Sequence, residues 1–248
     1  LERSGGIAAP VGHFVAPGAI GIFLGPRLAG FGWLTRGVLP VCLLLLAAGL
    51  LLAPKKISAK PVSALPLTRL RLAGLMGCMF LTVLLRSYMG TVLRYAFLSE
   101  TVLALLFTLG IFAGKFFGGI LADRFGALRF SAIAQSAATV LFILSIRLPW
   151  LAFGGIFLFN TTMAITATEL YRALPRFPGT MFGLTTLALF LGVLPRLLGA
   201  ENLFFNWWGL GLLSLISTAL LLGGLILVKG GIADAAVAGA VTGTDADP

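Results

Sequence analysis

The chain has few charged residues for its length. Asp, Glu, Lys and Arg make up only 10% of its 248 residues, whereas 59% are hydrophobic. A soluble globular domain has about 25% charged and about 45–50% apolar residues. The composition therefore excludes an ordinary water-soluble domain and indicates a protein that faces lipid.

Residues that bind metals or form disulfides are scarce. The two cysteines, Cys42 and Cys78, lie inside apolar runs, and the single histidine, His13, has no Cys, His or acid at ligand spacing. This pattern favours small apolar roles for both cysteines over a disulfide or a metal site. The apolar segments also lack the Ser/His or His/Glu arrangements of a hydrolytic site. We expect no metal, no cofactor and no enzymatic activity.

The excess of basic residues does not have the pattern of a nucleic-acid binder. The formal net charge is +10, but Lys and Arg are distributed between apolar segments and do not gather on one face or arm. A distribution of this kind is typical of residues that orient a membrane protein. We expect a lipid bilayer as the partner and no nucleic acid.

Apolar runs of about twenty residues recur along the chain, and each is long enough to cross about 30 Å of hydrocarbon. Eight such segments cover approximately residues 7–29, 33–53, 72–97, 101–122, 130–146, 150–169, 179–198 and 207–228. They predict an all-α integral membrane protein with about eight transmembrane helices.

Composition also suggests where the chain divides. Residues 54–71 form a basic linker with three prolines, which separates the two helices of residues 1–53 from the six of residues 72–229. The last stretch, 230–248, is rich in Gly, Ala and Asp, and we expect it to be disordered. The first residue is Leu, so we interpret the chain as a fragment or a processed product.

One short turn between apolar segments, residues 118–129, concentrates glycine and charge. A turn cannot satisfy its own backbone hydrogen bonds in lipid, so we place it at the membrane surface. Its notable residues are Gly119, Asp123, Arg124, Gly126 and Arg129. An ordinary basic cytoplasmic loop is the alternative interpretation. The spacing G-x-L-A-D-R-x-G, followed by a further Arg, resembles the signature loop of the major facilitator superfamily of transporters.

The first apolar segment carries a second pattern. Gly12, Gly21 and the pair Gly25-Pro26 follow the spacing G-x8-G-x3-G-P. This resembles the antiporter motif in the fifth helix of drug-exporting facilitators, with Ala29 in place of one glycine. Small residues allow close helix packing in lipid, so generic packing is the alternative interpretation.

The resemblance implies which helices are present. In the superfamily the signature loop joins the second and third helices of each six-helix half, so the eight segments correspond to helices five to twelve of a twelve-helix fold. Pro26-Arg27-Leu28 and Pro195-Arg196-Leu197 end segments six helices apart, as expected of two related halves. Helices one to four would then come from the same gene or from a second chain. Arg86-Ser87 and residues 174–184 are similar to the fosmidomycin-resistance type of exporter.

Four polar residues lie at membrane depth and are candidates for a central cavity. They are Arg86, Lys115, Asn160 and Glu169. Charged residues within the membrane are costly and usually face a cavity or a partner. We expect Arg86 and Lys115 to share one cavity, with Glu169 as a possible partner. Arg94 is better interpreted as reaching the membrane interface.

The basic residues predict an orientation. Eleven lie in the stretches assigned to one side and five in those assigned to the other. Because cytoplasmic loops carry the excess of Lys and Arg, we expect both chain ends in the cytoplasm and the protein in the inner or plasma membrane.

These observations predict a secondary transporter that moves a small, anionic or amphiphilic solute by alternating access, most simply by proton-coupled efflux. The alternative is a non-transporting membrane subunit or half of a split transporter.

Two structural predictions follow from the helix assignment. The second, fifth and eighth segments should lie outermost, with Leu44, Leu51 and Leu221 on the lipid surface. The resemblance also implies that Asp123 contacts the start of the first segment, around residues 4–7. Capping of its own helix, or a pair with Arg129, is the alternative.

Overall fold

The computed structural model describes residues 7–32, 34–52, 65–93, 95–199 and 204–243. All regular structure within these ranges is helical. The helices are α1 (Ala8–Val15), α2 (Pro17–Ala29), α3 (Leu39–Leu52), α4 (Arg69–Val92), α5 (Thr101–Phe125), α6 (Ala127–Ser145), α7 (Leu151–Thr161), α8 (Met163–Ala173), α9 (Pro178–Leu197) and α10 (Trp207–Gly243). The prediction of an all-α membrane protein is confirmed.

Seven of the helical stretches in the described residues are long and apolar enough to cross a membrane. Two of them combine consecutive helices, α1 with α2 and α7 with α8. The remaining predicted span, at residues 33–53, is too short in the described residues. Helix α3 has 14 residues and follows a π-helical turn at Leu34–Val38, so it extends about 21 Å at 1.5 Å per residue. The described residues therefore contain seven such spans, where the sequence predicts about eight.

Local sequence accounts for several helix boundaries. Thr68 caps α4, because its hydroxyl accepts a hydrogen bond from the N–H of Arg71. Gly126 is the single residue between α5 and α6 and has φ +87°, a conformation that glycine adopts without steric strain. Pro178 opens α9 at its first turn, where its missing N–H leaves no helical bond unmade.

The helices surround the pair α7 and α8. Helix α8 contacts α1, α4, α5 and α9, and α7 packs between α5 and α6. The span that they form is the most buried of the seven, since 67% of its apolar stretch lies inside the protein. Helix α10 closes the bundle against α4 and α6. The most enclosed part of the bundle is therefore made by α8.

One end of the bundle is held together by polar contacts. Leu65 donates its N–H to the carbonyl of Arg172 at the end of α8. Arg71 at the start of α4 forms an ion pair of 2.6 Å with Asp234 of α10. The junction at Gly126 lies at this same end, which we call the basic end after Arg69, Arg71, Arg124, Arg129, Arg172, Arg176 and Lys229.

The predicted lipid-facing surface is only partly correct. Leu44 and Leu51 are 70% and 83% exposed, but Leu221 is fully buried, because α10 packs against both α4 and α6. Helix α6 has one exposed face and one buried face. Its Ile133 is 73% exposed, whereas its Gln135 is fully buried.

The predicted domain boundaries also shift. Helix α10 continues to Gly243, so the stretch from Gly230 to Gly243 is helical and not a disordered tail. Helix α4 begins at Arg69, inside the predicted linker 54–71. Residues 53–64, with the predicted linker's three lysines, lie outside the described residues, as do Arg94 and residues 244–248.

Candidate functional site

The central span has a break near its middle. Helix α7 ends at Thr161, α8 begins at Met163, and Thr162 between them has φ −86° and ψ 0°. Asn160, Thr161 and Thr166 each donate a side-chain hydrogen bond to a carbonyl three or four residues earlier. Such bonds satisfy backbone groups and often bend helices. At the break, these side chains therefore satisfy backbone carbonyls in the absence of water.

Arg86 of α4 reaches this break. Its Nη2 donates to the hydroxyl of Thr162 at 2.6 Å, and its Nη1 lies 3.3 Å from the sulfur of Met163. The guanidinium carbon lies 5.5 Å from the centre of the Phe159 ring, within range of a cation–π interaction. Arg86 is only 6% exposed. The structure thus holds a guanidinium against the centre of the bundle.

A second side chain converges on the same hydroxyl. Gln135 of α6 donates from Nε2 to Thr162 at 2.6 Å, while the Thr162 hydroxyl donates to the carbonyl of Phe159 at 3.3 Å. A hydroxyl has one donor and two acceptor positions, so that of Thr162 is fully used. It joins α4, α6 and the central span.

Some polar atoms here have no partner. Within the described residues, the fully enclosed side-chain atoms without a hydrogen bond are Arg86 Nε, Ser131 Oγ, Gln135 Oε1 and Ser217 Oγ. Two of these four belong to the side chains that bind Thr162. Enclosed polar groups in proteins nearly always have partners, so the site around Arg86 lacks some of the groups that would satisfy it.

Lys115 of α5 adds a second cation. It is 8% exposed, and its helix packs closely against the break through Gly114 and Gly118. Among the described residues, neither Lys115 nor Arg86 forms an ion pair with an acid. The structure therefore buries both predicted cations, on two helices that each contact the central span.

The other two cavity candidates have local partners. Asn160 lies on α7, and its amide donates to the carbonyl of Ile156 at 2.9 Å. Glu169 is buried, but it pairs with Arg172 at 3.0 Å near the basic end. The suggestion that Glu169 neutralises Arg86 is therefore wrong, because Arg172 lies one turn away on the same helix and binds it.

Glycines allow α5 to approach the break closely. A Cβ atom at Gly114 would overlap the carbonyl oxygen of Phe157, and one at Gly118 would overlap that of Thr161. From Gly114 to Gly118 on α5, the contacted residue on α7 also moves four positions forward, from Phe157 to Thr161. Helices α5 and α7 therefore run in the same direction. Backbone against backbone leaves no room for a side chain, so α5 is held in a fixed register with the break.

Helix α5 also packs closely against α1, through the face that carries Gly119. A Cβ at Gly119 would overlap the carbonyl oxygen of Ala8, and one at Gly12 would lie 2.7 Å from that of Lys115. Gly12 therefore has the close-packing role predicted for it. Gly21 and Gly25 of α2 have no other atom within 4 Å of a Cβ placed there, and Pro26 lies in the same helix. Close packing at Gly21 and Gly25 is not found in the described part of the chain.

Asp123, at the end of α5, binds the start of α1. Its carboxylate accepts hydrogen bonds from the N–H groups of Ala8 at 3.3 Å and Ala9 at 2.9 Å. The predicted contact was the stretch 4–7, of which only Ile7 is described. The observed donors follow it directly. Arg124 and Arg129 are exposed on either side of the turn.

Four residues of the site were not predicted from sequence, namely Gln135, Thr162, Met163 and Phe159. A glutamine inside an apolar span is itself a signal for Gln135, but assigning that segment to the lipid surface concealed it. Met163 and Phe159 are typical core residues, and only the position of Arg86 gives them a role.

Comparison of the chain with protein-family models, curated proteins and solved structures finds no match. The fold and the site therefore stand on the chain's own geometry. The described residues form an all-helical bundle with seven helices able to cross a membrane.

Proposed function

We propose that the chain is the larger part of a secondary transporter that moves a small solute across a cell membrane by alternating access. The observation that carries this proposal is a pair of buried cations, Arg86 and Lys115, beside a broken helix near the middle of the bundle. Intramembrane charges mark substrate and ion paths, and broken helices line binding sites in transporters.

Further helices complete the proposed transporter, supplied by the same gene or by a second chain. Helix α3 presents exposed side chains along its length, and α2 has open glycine positions at Gly21 and Gly25. Small-residue faces in membrane helices usually pack against other helices. These unfilled surfaces support the twelve-helix arrangement implied by the resemblance to the major facilitator superfamily.

The proposal also assigns an orientation. Seven basic residues of the described chain lie at the basic end, and four (Arg27, Arg36, Arg147 and Arg196) lie towards the other. This excess of basic residues supports a cytoplasmic position for the basic end. Movement of solute outward in exchange for protons is the direction that we propose.

The test is a flux assay with the complete gene product in proteoliposomes. A proton gradient is imposed, and internal pH is followed with a trapped dye while a panel of small anionic and amphiphilic solutes is added. We expect at least one solute to dissipate the gradient. Replacing Arg86→Gln should abolish this flux, while the matched variant Arg147→Gln, which removes an exposed arginine, should retain it.

The absence of solute-dependent proton movement for every compound, with the protein correctly inserted, would favour a non-transporting membrane subunit. Uptake of labelled solute without proton movement would retain transport and refute proton coupling.

A further inference from the structure

Among the described residues, the two buried cations have no counter-charge. The described chain contains four acids, and each is engaged or located elsewhere. Asp123 binds α1, Glu169 binds Arg172, Asp234 binds Arg71, and Glu100 is exposed at the start of α5. Lys115 lies fifteen residues further along that helix, about 22 Å away at 1.5 Å per residue.

Neither deprotonation nor water removes the imbalance. Arginine does not lose its proton in proteins, so Arg86 stays charged even if Lys115 becomes neutral. A water molecule could accept a hydrogen bond from Arg86 Nε, but it would not offset the charge. Buried charges are stable only when paired, so an anionic group is what the described residues do not supply at this site.

The geometry of the donors limits the kind of anion. Arg86 uses its terminal nitrogens on Thr162 and Met163, while its Nε–H remains unpartnered. Nε and an adjacent terminal N–H form a planar fork that matches two oxygens on one carbon or phosphorus atom. Lys115, buried on the helix that packs against the break, supplies a second positive charge. A halide would leave the fork half used, whereas a carboxylate or phosphoryl group would fill it.

The start of α8 works in the same direction. A helix N-terminus carries a partial positive charge, and α8 begins at Met163, beside Arg86. The C-terminus of α7 lies at the same break and favours a cation, so α7 stabilises the guanidinium while α8 stabilises an anion. An anion gains from Arg86, Lys115 and the start of α8 together.

We infer that the space between α4, α5 and the break at Thr162 binds a small oxyanion through Arg86 and Lys115. This inference rests on the proposed function, since it assigns the substrate class of the proposed transporter. The oxyanion is either a free solute or the phosphate of an anionic lipid, and both offer the same group to the arginine. Arg86 Nε is enclosed in this structure, so binding requires the surrounding helices to part, as alternating access provides.

Equilibrium dialysis of the complete gene product in neutral detergent tests the inference, with radiolabelled inorganic phosphate and acetate as probes. We expect saturable binding of at least one probe. Arg86→Gln should weaken binding at least about tenfold, since a hydrogen bond to a charged group is lost. Arg86→Lys keeps the charge without the fork and should give an intermediate affinity, and Arg124→Gln, at an exposed site, should bind as the unchanged protein does.

Two vesicle compositions separate the sources of the anion. Displacement of the probe in vesicles containing phosphatidylglycerol, but not in phosphatidylcholine alone, identifies the lipid phosphate. Equal binding in both identifies a free solute. Binding of neither probe, or equal binding by Arg86→Gln, overturns the inference.

The outcome is independent of the flux assay. Probe binding without flux would leave the oxyanion site in place and refute transport. Flux of a solute without an anionic group, unaffected by Arg86→Gln, would retain transport and refute the site.

Discussion

The contact between Asp123 and α1 gives the sharpest prediction, because one substitution removes its charge without changing its shape. In Asp123→Asn, one carboxylate oxygen becomes an amide nitrogen, which cannot accept from the N–H groups of Ala8 or Ala9. We expect the first turn of α1 to separate from the end of α5 more often.

The size of the effect can be worked from the two hydrogen bonds. A carboxylate at a helix N-terminus contributes about 0.3–2 kcal/mol, and a hydrogen bond to a charged group about 1.5–3 kcal/mol. Asp123 is only partly buried, and solvent screening lowers both figures. We therefore expect Asp123→Asn to remove about 1–3 kcal/mol of the free energy that holds α1 against α5. At 1.4 kcal/mol per factor of ten, local opening should become about 5- to 140-fold more frequent.

Hydrogen–deuterium exchange read by mass spectrometry measures this opening. The peptide covering α1 should exchange faster in Asp123→Asn by that factor, while the peptides of α9 and α10 should not change. Asp234→Asn is the matched control, since it removes an acid at the same end that binds Arg71 and not α1. Unchanged exchange in α1 would mean that the close packing of Gly12 and Gly119 holds the helix without the carboxylate.

Three further substitutions test the packing, each by thermal unfolding in detergent. Gly118→Ala should lower the free energy of unfolding by about 1–3 kcal/mol through overpacking. Gly183→Ala, with no neighbouring atom within 4 Å of the added Cβ, should not lower it, and equal stability of the two variants would refute the close crossing of α5 and α7. Thr162→Val leaves two buried donors without an acceptor and should lose about 1–3 kcal/mol, most of which Thr162→Ser should restore. Leu221→Ala should lose about 2–5 kcal/mol and Leu51→Ala less than about 0.5 kcal/mol, and the reverse order would place α10 outside the bundle.

Features set by local sequence could be predicted well. The apolar runs give the helices, and Gly126 gives the sharp junction between α5 and α6. The glycine spacing on α5 predicts a face for close packing, since removing side chains leaves backbone contact as the only way to fill space. The charge at the end of α5 and the free N–H groups at the start of α1 are likewise local properties.

Features set by the choice of neighbour could not be predicted. Helix α10 is mostly apolar, and lipid is as apolar as leucine, so its leucines alone do not distinguish the buried Leu221 from an exposed residue. Ser214, Ser217 and Thr218, which are buried on the same side of the helix, are the only sequence signal for that face. The meeting of Arg86, Gln135 and Thr162 joins three separate spans. Each residue is visible as polar within an apolar run, but their partners depend on the packing of the whole bundle.

Helix α5 links the two polar features of the molecule. Lys115 is one of the two buried cations of the proposed oxyanion site, Gly118 packs on the break, and Asp123 binds the start of α1 at the basic end. Lys115 and Asp123 are eight residues apart, about 12 Å along one rigid helix. Occupation of the site that shifts α5 must therefore change the contact with α1 as well. By thermodynamic linkage, the factor by which an oxyanion changes the opening of α1 equals the factor by which that opening changes oxyanion affinity. Exchange at α1 and dialysis of the probe thus measure one coupling from its two ends, and a factor of one, with no effect of the oxyanion on exchange at α1, would show that α5 does not couple the two features.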